Sequence, residues 1–277
     1  MSDTIFKLPE IFFDGQPADT NIFFYETNNS SRNNRVSFSQ NMICIMQAGE
    51  KEISGPALTE MFTNDNLYIL STGNVLMTEN TALHNTYKSI LLFFSNKFLL
   101  LFLKKYNIAV KRTADTNHCV KVTKDEYLLN FERSLEILKN KLTSGDMLKI
   151  KIEELLLYLL QKDELPVIEL LNSVLNGNKH ASLTKVIHAN LDNNLSIEEL
   201  AFLCNMSLST FKRKFAETFH TTPKQYFIAH KMQKAVAMLR EHKRPSEIYS
   251  ELGYQDLAAF SNEFRKHFGI SPSQYIP

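Results

Sequence analysis

Residues 211–226 read FKRKFAETFHTTPKQY, and residues 260–275 read FSNEFRKHFGISPSQY. The second stretch repeats the first. Phe211, Phe215, Phe219, Pro223, Gln225 and Tyr226 recur, in type and spacing, as Phe260, Phe264, Phe268, Pro272, Gln274 and Tyr275, and Thr222 is answered by Ser271. Aromatics spaced by four residues make one apolar helix face. A Ser or Thr N-cap, Pro at the next position and Gln three residues on then open a new helix. Upstream of each copy lie a short helix and a tight turn, so each copy belongs to a helix-turn-helix unit.

In the first unit Ser196 caps a helix, with Glu199 three residues on. Ala201 is small enough to let two helices cross closely. Asn205 tolerates a left-handed turn, Met206 packs, and Ser207 caps the next helix, Leu208 to Thr218. With its three Phe turned inward, Ser209, Lys212 and Arg213 share the outward face. In the second unit Ile248 and Leu252 pack, Gly253 makes the turn, and Asp256 caps a helix whose exposed positions are Leu257, Ala258, Ser261 and Asn262. Paired units of this kind point to DNA binding. Lys212 and Arg213 suit guanine edges, Ser209 a base or phosphate, Leu257 and Ala258 thymine methyls, and Asn262 adenine; Ser261 completes the base-facing set. Ser196, Ser207, Lys214, Lys224, Lys231, Lys234, Arg265 and Lys266 are the phosphate candidates. Between the units, residues 223–241 read as one helix of about 28 Å, close to one turn of B-DNA at roughly 34 Å. Two recognition helices on such a rod can enter successive major grooves.

Net charge over the 277 residues is +1, but the last hundred residues carry 13 Lys+Arg against 9 Asp+Glu. That skew permits a polyanionic partner. Cys44, Cys119 and Cys204 are far apart and read as reduced, buried thiols. His84 and His118 are isolated, no metal-ligand spacing occurs, and there is no phosphate loop or nucleophile elbow, so neither a cofactor nor catalysis is expected. Residues 1–10 lack a signal-peptide layout and residues 90–103 are too short to span a bilayer, so the chain reads as cytoplasmic and soluble.

The fold expected is α+β. Residues 1–112 read as strands of an antiparallel, cupin-like β-barrel or sandwich, with runs at 22–25, 36–47, 67–71, 75–78 and 87–94 between turn clusters at 28–34, 49–51, 64–66 and 72–74. Residues 96–106 and the stretch 113–176 read as helical. There, Thr123 with Glu126 makes a capping box, Asp146 opens a helix after Gly145, and Pro166 starts another that ends at Asn176–Gly177. Residues 176–180 read as a linker between a regulatory or dimerisation domain, 1–176, and an all-helical domain, 181–277, with two helix-turn-helix motifs joined by a long helix.

Over 181–277 the chain resembles the DNA-binding domain of the AraC family of transcription regulators. Ile248, Gly253-Tyr254, Asp256, Phe260, Phe264 and the run from Phe268 to Tyr275 carry the likeness most strongly. The resemblance implies recognition helices in adjacent major grooves of a promoter, with base contacts at the seven positions named above. His220 stands where Gly is usual, Lys231 where Arg is usual, Tyr249 for a small residue and Ala258-Ala259 for a common Ser-Tyr pair. Leu148 to Leu160 resembles the dimerisation helix of the ExsA-type branch, which activates type III secretion genes under control of protein partners rather than sugars. The resemblance implies a non-enzymatic activator with promoter DNA and RNA polymerase as partners. It also implies a homodimer through the helical part of the N-terminal domain, and a small molecule or regulatory protein as effector. Two other readings stand beside it: a small-molecule-binding or enzymatic barrel tethered to DNA, and an interaction module held off DNA by an anti-activator.

Overall fold

The computed structural model describes residues 4–56, 59–81, 86–108, 119–139, 145–162, 167–168, 170–171, 174 and 182–275. It divides into two compact units, residues 1–181 and 182–277.

The first unit carries strands β1 (Ile5–Leu8), β2 (Thr20–Thr27), β3 (Ser31–Phe38), β4 (Asn41–Ala48), β5 (Glu50–Ser54), β6 (Thr59–Phe62), β7 (Asn66–Leu70), β8 (Gly73–Asn80), β9 (Tyr87–Phe94) and β10 (Cys119–Thr123). Its helices include α1 (Asn96–Lys105), α2 (Glu126–Leu138) and α3 (Gly145–Lys162). The strands form two five-stranded sheets, in the orders β1-β3-β8-β5-β6 and β10-β7-β4-β9-β2. The β1–β3 pair is parallel and the other pairs are antiparallel. The sheets stay separate, so of the two expected arrangements the sandwich is the one that forms.

Strand residues alternate between faces, and the second sheet is apolar on both. Met42, Cys44, Met46, Leu91 and Phe93 pack in one core with Val36, Phe38, Ile53, Phe62, Val75 and Met77 of the first sheet. Their neighbours Ile43, Ile45, Ile90, Leu92 and Phe94 pack in another with Phe102 of α1, Phe131 and Leu135 of α2, and Ile152, Leu155 and Leu156 of α3. Burial on both sides explains the unbroken apolar runs of β4 and β9. Each large side chain so buried contributes about 1.5–3 kcal/mol. A polar cluster interrupts the inter-sheet core. Lys51 and Glu79 form an ion pair at 2.8 Å, Tyr25 donates to Glu79, and the Lys51 ammonium stands over the Tyr87 ring.

Several boundaries differ from expectation. The run 36–47 is two strands with a break at Ser39–Gln40, because both sides of the turn are apolar. The turn expected at 49–51 is Gly49 alone, at φ +83°, and Glu50 already pairs in β5. The cluster 28–34 shortens because Ser31 begins β3. Strand β10 lies within the stretch expected to be helical. Thr123 ends it, so the α2 cap is Asp125, which accepts from the Leu128 amide. Of the helix expected from Pro166, residues 167–168, 170–171 and 174 are helical; Pro166 itself and the linker 176–180 lie outside the described residues. In α3, Leu148, Ile152, Leu155, Leu156 and Leu159 are buried in their own domain, which leaves Met147 and Ile150 as its exposed large apolar side chains.

The second unit is helical: α4 (Leu183–Ala189), α5 (Ile197–Leu203), α6 (Leu208–Phe219), α7 (Pro223–Arg240), α8 (Pro245–Glu251), α9 (Leu257–Phe268) and a 3-10 turn, Pro272–Gln274. The repeat in the sequence is a repeat in space. Phe211–Phe215 and Phe260–Phe264 have ring centroids 5.7 and 5.8 Å apart, and Phe215–Phe219 and Phe264–Phe268 are 4.5 and 4.6 Å apart. The first two rings of each copy are fully buried, whereas Phe268 is 37% exposed. Met232, Ala235, Met238 and Leu239 of α7 share a core with Ile248, Leu252, Phe260 and Phe264, so the long helix is packed against the second motif.

Candidate nucleic-acid interface

Two turns of the same build aim the two candidate recognition helices. After α5, Asn205 is left-handed at φ +52° and the Met206 amide donates to Ala201 O at 2.9 Å. After α8, Gly253 is left-handed at φ +73° and the Tyr254 amide donates to Tyr249 O at 2.9 Å. Both close the preceding helix with a backbone bond reaching back five residues. Ser207 then caps α6 through the Thr210 amide, and Asp256 caps α9 through the Ala259 amide. The far ends match as well. His220 and Gly269 are both left-handed, and their amides donate to Ala216 O and Arg265 O. Gln225 and Gln274 then accept from the Thr222 and Ser271 hydroxyls, both at 2.9 Å.

On α6, Ser209, Lys212, Arg213 and Lys214 are exposed. On α9, Leu257, Ala258 and Asn262 are exposed and Ser261 is half-buried. The buried Phe stripe of each helix therefore leaves the expected residues on its outer side. The two helices are joined by α7 and α8, and α7 is 18 residues long, about 27 Å.

Residues 188–276 match the family model described as a helix-turn-helix domain, and residues 41–171 match the ExsA N-terminal regulatory domain. The chain carries an AraC-type helix-turn-helix domain and an ExsA-type N-terminal regulatory domain. It is similar to the HTH-type transcriptional regulator AlkR of Acinetobacter baylyi, 34% identical over 90 residues, which are 32% of this chain and 29% of AlkR. It is similar to the lactose operon transcription activator of Staphylococcus xylosus, 28% identical over 134 residues, 48% of this chain and 47% of that one. The chain thus spans less than half the length of these curated relatives. Among solved structures, unsaturated-fatty-acid-bound wild-type ToxT of Vibrio cholerae aligns over 95% of this chain and 96% of that one, at 11% identity and a TM-score of 0.41.

Within this AraC-type domain the phosphate candidates fall into two groups. Lys214, Lys224, Arg265 and Lys266 are exposed, and Arg265 and Lys266 lie in the last turn of α9, where the helix dipole favours cations. The others are already engaged. Lys231 is half-buried with its ammonium over the Tyr254 ring, and burial pulls its pKa down. Lys234 bonds Asp192 at 2.7 Å and holds that carboxyl below the usual range. The Ser196 and Ser207 hydroxyls accept from the Glu199 and Thr210 amides as caps. Sequence reasoning overlooked Glu217, whose carboxylate accepts from Arg213 Nη1 at 2.8 Å. The four-residue spacing was the available signal.

The described residues contain no cluster of three or more His, Cys, Asp or Glu able to hold a metal. None of their helices is long and apolar enough to cross a membrane.

Proposed function

We propose that the chain is a sequence-specific activator whose two recognition helices, α6 and α9, enter adjacent major grooves of promoter DNA. Residues 181–277 bind the DNA; residues 1–176 sense a ligand or protein partner, dimerise, or do both. The observation that carries the reading is the duplicated turn geometry. It leaves Ser209, Lys212 and Arg213 on one outer face and Leu257, Ala258, Ser261 and Asn262 on the equivalent face of the second helix. On this reading the α6 set and Asn262 read base edges, the apolar pair meets thymine methyls, and Lys214, Lys224, Arg265 and Lys266 meet phosphates. The name of the Staphylococcus relative supports activation, with RNA polymerase as the further partner. Exposed Leu129, Ile137, Met147 and Ile150 on α2 and α3 supply apolar surface for a homodimer. The site of action is the cytoplasm, and no catalytic step is involved.

The test is binding of the full chain to its own upstream DNA and to random duplex across a salt series. Selective binding with a steep salt slope supports the regulator. Equal, weak binding to both, in the full chain and in residues 178–277 alone, would remove it.

One observation favours small-molecule sensing by the N-terminal unit. Near the Lys51–Glu79 pair, the Tyr68 hydroxyl is buried against the Cys44 thiol without a nitrogen or oxygen partner among the described residues. A buried hydroxyl left with only a weak sulfur partner costs up to about 1–3 kcal/mol, a cost that a small polar ligand would relieve. A melting temperature unmoved by any member of a polar metabolite panel would argue against it.

A further inference from the structure

Glu217 is badly placed for a residue with no task. It sits in the last turn of α6, where the helix dipole disfavours an anion. It stands on the outer side of a helix proposed to face a polyanion. Its ion pair with Arg213 is exposed on both sides, at 63% and 59%, and such pairs contribute little to stability. The internal repeat sharpens the contrast: the position of Glu217 in the first copy is held by Lys266 in the second.

We infer that Glu217 is a positioning residue, which sets the guanidinium of Arg213 for base reading and lowers affinity for DNA of the wrong sequence. This rests on the reading of Arg213 as a base-facing residue given above. The geometry supplies the means. Arg213 gives Nη1 to Glu217 Oε1 at 2.8 Å. The edge formed by Nε and Nη2 is then left to donate two parallel hydrogen bonds, the pattern that guanine O6 and N7 accept. Held this way, the arginine cannot swing to the nearest phosphate without giving up its carboxylate partner. On sequence lacking the guanine, the carboxylate faces the DNA with no compensating base contact, and repulsion weakens the complex. Glu217 therefore lowers general affinity and widens the gap between right and wrong sequence.

The test uses the full chain and two probes: a duplex selected by the unaltered chain from a random-sequence pool, and random duplex. Glu217→Ala and Glu217→Gln should bind random duplex more tightly, and the ratio of selected to random affinity should fall about tenfold, within the range of one bidentate contact. Repeating the selection with Glu217→Ala should relax the preference at a single base pair, the one that Arg213→Ala also relaxes. In an Arg213→Ala background, removing Glu217 should leave that preference unchanged. Unaltered melting of the variants separates these effects from misfolding. Loss of preference in Arg213→Ala, with an intact preference and ratio in Glu217→Ala, would overturn the positioning role alone. An intact preference in Arg213→Ala would overturn the assignment of Arg213, and this inference with it.

Discussion

The side chain of Asn194 lies so close to Gly253 that a β-carbon on the glycine would stand 2.8 Å from Asn194 Oδ1. Asn194 belongs to the segment leading into α5, and Gly253 to the turn between α8 and α9. The two motifs of the AraC-type domain thus touch through a left-handed glycine, at φ +73°, and a left-handed asparagine, at φ +48°. Gly253→Ala meets both a conformational penalty and a clash, and should destabilise the second unit by more than ~1 kcal/mol. Adding Asn194→Ala should recover the steric part only. Denaturant unfolding of the full chain and its variants measures both, and a Gly253→Ala protein as stable as the parent would show that the contact does not form.

Lys212→Ala and Arg213→Ala should each weaken binding to a selected duplex by about 1–3 kcal/mol while affecting random duplex much less. Lys224→Ala and Lys266→Ala should instead weaken both and reduce the salt slope by ~1 each. Titrations on both duplexes sort base readers from phosphate binders; an unchanged ratio in the first pair would take those residues out of the reading set.

His220 occupies the left-handed position that Gly269 occupies in the second copy. A side chain there costs roughly 1–2 kcal/mol, and the extra freedom of glycine in the unfolded chain offsets about 0.5–1 kcal/mol. His220→Gly should therefore raise stability slightly, by about 0.5 kcal/mol after these terms oppose. A fall in melting temperature would mean that the imidazole makes a favourable contact.

Acid should act on the N-terminal unit through Asp125. Burial works to raise its carboxyl, but hydrogen bonds from Lys162, Tyr158 and the Leu128 amide outweigh that and hold it at about 2. An unfolded Asp titrates near ~3.9, so the stabilisation is complete above that pH and is lost as pH falls towards 2. The Asp125→Asn protein should have a lower melting temperature at pH 6 and a shallower decline between pH 4 and 2. Parallel curves for the two proteins would contradict this.

The C-terminal half was legible because its signals are local and doubled. Caps, aromatic spacing and turn residues lie within a few positions of one another, and the second copy checks the first. Ser207, Asp256, Thr222 and Ser271 each sit where their type predicts. The N-terminal half was less legible because its order comes from pairing between distant strands. Strand β10, for example, owes its place to β7, some fifty residues away, where Cys119 pairs with Leu70 and Thr123 with Asn66. The outer sheet also hid its strands, since β1, β3 and β6 keep polar or exposed residues on one face and carry no continuous apolar run. At the interface, residue types showed which side chains face outward, but not that Lys231 and Lys234 are spent on Tyr254 and Asp192.

A helix is a gauge of angle as well as of length. One residue inserted in α7 would advance everything beyond it by about 1.5 Å and rotate it by roughly 100°. The second motif would then come round to a different side of the first. Substitutions along α7 can therefore accumulate wherever packing allows, but a single insertion or deletion throws the two motifs out of phase. The constraint on this segment falls on its residue count before it falls on residue identity.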